Sequence, residues 1–155
     1  MDSTAIATSL PVIAEDLGTE PIALKLALTA YLLALAVFIP VSGWVADRFG
    51  AKRTFMLAIG VFLLGSLACA ASASLEQLVA ARFLQGMGGA LMVPVGRLVL
   101  LRTVPKSELV QALSWLTIPA LVAPIIGPPV GGFIATYSDW RWIFLINLPI
   151  GVVGI

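Results

Sequence analysis

Apolar runs of membrane-crossing length, separated by short charged breaks, constrain this chain more than any other feature of its sequence. A spanning helix takes about 20 apolar residues at about 1.5 Å rise each, so the 155 residues hold roughly six spans with short connections. Charge decides where such runs can live. Only 11% of residues are charged while 60% are hydrophobic, and the mean hydropathy is +1.06. A soluble domain of this size carries roughly a quarter charged residues to keep its surface wet. These charges are too few to cover a sphere, so lipid must cover it. The expected fold class is an all-α membrane protein, a bundle of six helices.

The spans read near 1–14, 23–43, 54–74, 78–101, 109–136 and 142–155. The first and last are too short to cross about 30 Å of hydrocarbon. The expectation is therefore a single amino-terminal transmembrane bundle over 1–155, with its first and sixth helices truncated and a carboxy-terminal half absent. Lysine and arginine give the orientation. Arg48, Lys52 and Arg53 follow the second span, and Arg97, Arg102 and Lys106 close the fourth, whereas the other breaks are poorer in cations. By the excess of cations in cytoplasmic loops, the even-numbered breaks and the amino terminus face the cytoplasm of a multi-pass protein in the cell membrane. Trp44, Trp140 and Trp142 fall near the expected interfaces, where an aromatic belt places them. There is no histidine, and the one cysteine, Cys69, lies inside an apolar run, so no disulfide forms within the chain. Nothing suggests a metal, a cofactor or a nucleic-acid partner. A net charge of +1 comes with no basic patch large enough to matter.

Four stretches carry more specific information. In Gly43-Trp44-Val45-Ala46-Asp47-Arg48-Phe49-Gly50-Ala51-Lys52-Arg53, Gly43 suits close helix approach and Gly50 suits a chain reversal. Asp47 can face a helix amino terminus, and the cations can meet lipid headgroups or a carboxylate. In Arg82-Phe83-Leu84-Gln85-Gly86-Met87-Gly88-Gly89, an arginine about one turn into the fourth span costs about 2.5–3.5 kcal/mol at mid-membrane. It should face a wet cavity or an acid, unless it snorkels to the interface. Gln85 and Gly89, at i+3 and i+7, share its face. In the fifth span Ala123, Gly127, Gly131 and Ala135 make a small-residue stripe suited to backbone-to-backbone packing, interrupted by Pro124 and Pro128, which should bend it. Asn147, in Trp140-Arg141-Trp142-Ile143-Phe144-Leu145-Ile146-Asn147-Leu148-Pro149, either lines a cavity or hydrogen-bonds a neighbouring helix. A weak internal echo links Gly43…Asp47-Arg48 with Gly132…Asp139-Trp140-Arg141.

Together these stretches resemble the major facilitator superfamily, and within it the fourteen-span drug/proton antiporter branch (EmrB/QacA-like). The G-x-x-x-D-R-x-G-x-K-R spacing is similar to the cytoplasmic loop signature, which implies a gating role for Gly43, Asp47, Arg48, Gly50, Lys52 and Arg53. R-x-x-Q-G-x-G-G resembles the fourth-helix signature of proton-coupled members, implying roles for Arg82, Gln85, Gly86 and Gly89. G-P-x-x-G-G is similar to the antiporter signature, carried here by Gly127, Pro128, Gly131 and Gly132. Asp2-Ser3-Thr4, with Leu10-Pro11, resembles the first-helix signature of the fourteen-span branch, whose acid takes part in proton coupling. Asp2 is otherwise a solvated terminal residue. The W-R-W-I-F-x-I-N-x-P run marks the same branch.

The resemblance implies proton-coupled efflux of drugs or other small amphipathic compounds, with Asp2 and Arg82 as a protonation-linked pair. The partners it implies are a small-molecule substrate, protons, membrane lipid and the absent half of the same transporter. Transport of one defined metabolite by the same fold, or a fragment that does not transport, are the alternatives. No Walker loop, histidine cluster or nucleophile–base pair supports an enzyme.

Overall fold

The computed structural model describes residues 2–154, with the side chain of Asp2 outside the description. Every regular element among the described residues is an α-helix: α1 Asp2–Asp16, α2 Lys25–Phe49, α3 Ala51–Ala70, α4 Leu75–Thr103, α5 Leu109–Tyr137, α6 Trp142–Leu145 and α7 Asn147–Val153. Helices α2 to α5 are each long and apolar enough to cross a membrane. Their surfaces agree with that. Leu33, Leu57, Leu64, Trp115, Ile125 and Phe133 all stand exposed, and of α5 only Gly127, Gly131 and Ala135 are buried. Helices hold their backbone hydrogen bonds internally, so such a surface is at ease in hydrocarbon and unstable in water.

Helix α4 is the axis of the fold, packed on one side by α2 and on the other by α3, while α1 lies along α5 and the α6–α7 pair lies along α3. Small residues permit the closest crossings. A Cβ at Gly86 would stand 2.7 Å from the Tyr31 carbonyl oxygen of α2, and one at Gly131 would stand 2.5 Å from the Ala5 Cα of α1. Any side chain there would force these helices apart. Two apolar clusters result. The larger gathers Ile13, Leu24, Cys69, Leu78, Trp140 and Phe144 near the ends of the helices that carry Asp16 and Asp139 (the Asp139 end). The smaller, Ala46, Ala51 and Val95, sits at the opposite end, beside Gly50 (the Gly50 end).

Several edges differ from those expected, each for a local reason. Helix α2 runs past the expected edge at 43 to Phe49, because Asp47 and Arg48 continue the helix until Gly50, whose φ of +89° ends it. Gly50 alone joins α2 to α3, in a backbone conformation that favours glycine. Helix α4 starts at Leu75 rather than near 78, since the Ser74 hydroxyl accepts from the Gln77 backbone N–H while Gln77 Oε1 accepts from the Ala73 N–H. The sixth span is jointed at Ile146 between α6 and α7. Pro149 has no N–H to offer the Leu145 carbonyl, which lies four residues before it. Helix α5 stays helical through Pro119, Pro124, Pro128 and Pro129.

Candidate functional site

Arg82 lies about two turns into α4 rather than one, and it is fully buried, so it does not snorkel. Its Nη1 donates to Gln85 Oε1 at 2.6 Å, one turn further along the same face. A guanidinium only donates, so this contact fixes which way the Gln85 amide points. Its Nε2 therefore faces α3 and donates to Ser66 Oγ at 2.8 Å. Asn147 Nδ2, at the start of α7, donates to the same oxygen at 3.2 Å. The Cys69 thiol reaches towards Gln85 Oε1 at 3.9 Å. The Tyr31 ring of α2 lies 4.2 Å from Arg82 Cζ, and the Phe144 ring of α6 lies 5.9 Å away. Aromatic faces attract a desolvated cation by about 2 kcal/mol, part of what offsets its loss of water. Side chains from α2, α3, α4, α6 and α7 thus converge on one buried charge.

The other fourth-helix residues serve this centre by packing. Gly86 admits α2, and a Cβ at Gly89 would stand 3.3 Å from the Tyr31 hydroxyl oxygen. Asn147 is half-buried, hydrogen-bonds α3 and also borders a small cavity of about 40 Å³ with Ala5, Gly127 and Ile143. The expected pairing of Asp2 with Arg82 falls on a side chain outside the described residues. Further along α1, the Ser9 hydroxyl shares its proton between the Ala5 carbonyl of its own helix at 2.8 Å and the Gly131 carbonyl at 3.2 Å, where α1 meets the small-residue stripe of α5. Gly127 and Gly131 of that stripe are buried; of their α5 neighbours, Pro128 is half-buried and a Cβ on Gly132 would meet open space.

The loop residues lie away from this centre, at the Gly50 end. Asp47 stands in the last turn of α2, just before the Gly50 turn into α3. Its Oδ1 accepts from Arg102 Nη2 at 2.9 Å, an exposed ion pair joining the ends of α2 and α4. Gly43 has open space where a Cβ would go, so among the described residues no helix approaches it closely on that side. Arg48, Lys52 and Arg53 are exposed.

A second cluster, at the Asp139 end, escaped sequence reasoning. Arg141 pairs with Asp16 at 3.1 Å and Asp139 at 3.4 Å, and lies over the Trp140 ring at 4.6 Å. Trp140 Nε1 donates to Asp16 Oδ2 at 3.0 Å. Trp140 is therefore a core residue, 2% exposed, and not part of an aromatic belt; Trp44 and Trp142 are exposed. The 3.6-residue period was the available signal, since it sets Trp140 on one face with Ile143 and Phe144. Ser66 and Tyr31 were missed because a lone hydroxyl in an apolar run carries no pattern of its own.

Fold and site define a multi-pass membrane protein whose helices close around an internal cation. The chain belongs to the Major Facilitator Superfamily, whose profile matches residues 1–155. It is similar to "Putative multidrug resistance protein MdtD" of Cronobacter sakazakii (strain ATCC BAA-894), at 48% identity over 154 residues, covering 99% of this chain and 33% of that protein. The proteins of the same name from Yersinia pestis (strain Pestoides F) and Yersinia pseudotuberculosis serotype O:1b (strain IP 31758) are each 47% identical over the same shares. The chain spans about a third of the length of these curated relatives.

Proposed function

We propose that this chain is the amino-terminal bundle of a proton-coupled transporter that exports drugs or other small amphipathic compounds by alternating access. The observation that carries the reading is Arg82, a cation held wholly inside a lipid-facing bundle and hydrogen-bonded to Gln85. Intramembrane charge is expensive and marks ion and proton pathways. Asp2 is the acid of the pair. Protonating it releases the arginine and biases the bundle towards its other opening. Gly127, Pro128, Gly131 and Gly132 belong to the helix that seals against a counterpart in the remaining part of the transporter. The loop from Gly43 to Arg53 gates at the cytoplasmic face, with the amino terminus on the same side. We place the protein in the fourteen-span drug/proton antiporter branch, in the cell membrane. The name carried by its relatives supports export of drugs over transport of one metabolite.

The test is reconstitution of the full-length transporter with an imposed pH gradient. Gradient-driven ethidium movement is expected, with coupling lost in Asp2→Asn and Arg82→Ala. Unchanged coupled transport in Asp2→Asn removes that acid from the mechanism. Competition by a single metabolite against no other compound would favour a dedicated carrier instead.

A further inference from the structure

We propose that Ser66 is the positioning residue of the coupling centre, its hydroxyl oxygen joining the amide that holds Arg82 to the jointed sixth span. The inference rests on the proton-coupled reading above and gives a role to a residue outside its signatures. The chain of constraint is chemical. Arg82 has only donors, so Gln85 must present its oxygen to it and turn its NH₂ towards α3. In an apolar interior that NH₂ requires an acceptor, and Ser66 Oγ at 2.8 Å supplies one. Gly65 lets the helices come close enough, since a Cβ there would stand 2.6 Å from Gln85 Cα.

The hydroxyl oxygen has a second lone pair, and Asn147 Nδ2 takes it at 3.2 Å. Asn147 is the first residue of α7, directly after the joint at Ile146. One oxygen atom therefore links the orientation of the Arg82 guanidinium to the position of α7. Among the described side chains, the titratable ones in contact with this centre are Tyr31 from α2 and Cys69 from α3; the side chain of Asp2 in α1 is not among those described. A change of charge beside Arg82 that turns the Gln85 amide must either carry α7 with it or break a bond at Ser66. Ser66 thus sets how strongly proton binding is tied to movement of the sixth span.

The experiment uses the full-length transporter in proteoliposomes, with ethidium as the probe. It compares movement driven by a pH gradient with ethidium exchange at zero gradient. Ser66→Ala should lower the maximal gradient-driven rate about tenfold, leave the KM for ethidium within about twofold, and spare exchange. Ser66→Thr, which keeps the hydroxyl, should restore coupling. An unchanged gradient-driven rate in Ser66→Ala overturns the proposal, and so does an equal fall in exchange, which a purely structural role would give. Where Ser66→Ala does not fold, Asn147→Leu removes the second arm without touching α3. It should lower the gradient-driven rate about threefold with exchange spared, and no such split overturns the proposal. The two readings fail differently. A wild-type protein that moves no ethidium on a pH gradient sinks the transport reading and this inference with it. A coupled wild type with an indifferent Ser66 sinks this inference alone.

Discussion

The two ends of the bundle carry similar acidic and basic residues and use them in opposite ways. At the Asp139 end, an exposed Asp16 accepts the Trp140 N–H and pairs with Arg141 above the larger apolar cluster, so the end of α1 is tied to the turn before α6 through a buried indole and a half-buried guanidinium. Arg141 Nη2 also reaches the Ser72 carbonyl at 3.5 Å, which adds the chain after α3. At the Gly50 end, Asp47 and Arg102 meet with 69% and 52% of their side chains exposed, over a cluster of few residues. Between α4 and α5 at this end lies an apolar recess of about 430 Å³, lined by Phe55, Gly96 and Leu116 among others. The same pairing chemistry is a fixed brace where it is backed by a core, and a loose contact where it is not. Burial, more than the number of ion pairs, separates the two.

That contrast can be broken most directly at Trp140. Trp140→Ala removes a 2%-exposed ring from the larger cluster and leaves Asp16 without its indole donor. It should cost about 3–5 kcal/mol, read as a large drop in the thermal unfolding midpoint of the detergent-purified protein. A small drop would mean that this end is no better braced than the other.

Gly131→Val comes next. Its new Cβ would overlap the Ala5 backbone, so α1 must move off α5, at a cost of about 1–3 kcal/mol or more. Gly132→Val is the paired control, because a Cβ there would meet nothing within 4 Å. The two unfolding midpoints should separate clearly, and coincident values would dissolve the proposed α1–α5 seam. Asp16→Asn is milder. The amide still offers an oxygen to Trp140 Nε1 but loses the charge opposite Arg141, which is itself half-buried and retains Asp139. A loss of about 0.5–1 kcal/mol is expected, falling as salt is added.

How much of this was legible in the sequence depends on pattern length. Helical membrane architecture follows from long apolar runs, and the whole-chain family match agrees with it. The placement of Arg82 beside Gln85 follows from i, i+3 spacing, which both residues carry visibly in Arg82-Phe83-Leu84-Gln85. Contacts between distant segments were not legible. Ser66 meets Asn147 across 81 positions, and Asp16 meets Trp140 across 124, and no local period encodes either pairing. Tryptophan misled for a physical reason: one side chain suits both a lipid interface and a core, and only tertiary packing chooses. The partner of Asp47 was likewise hidden, because Arg102 lies 55 positions away at the end of another helix.

The smallest stability effect belongs to Asp47, and it sharpens the comparison from the other side. Asp47→Asn removes the charge that Arg102 meets, yet both side chains are more than half exposed and water replaces much of what is lost. The expected cost is about 0–1 kcal/mol, with an unfolding midpoint close to that of the parent. On the proposed gating role, transport should respond far more than stability does. A contact that opens in every cycle has to be weak in each state, because a ligand or proton shifts the equilibrium only by its differential affinity for the two. Steady-state efflux and unfolding are therefore measured on the same preparation. A lowered transport rate with an unmoved midpoint supports a gate at the Gly50 end. A midpoint falling as far as in Trp140→Ala would make this end a structural brace like its counterpart, and the contrast between the two ends would be lost.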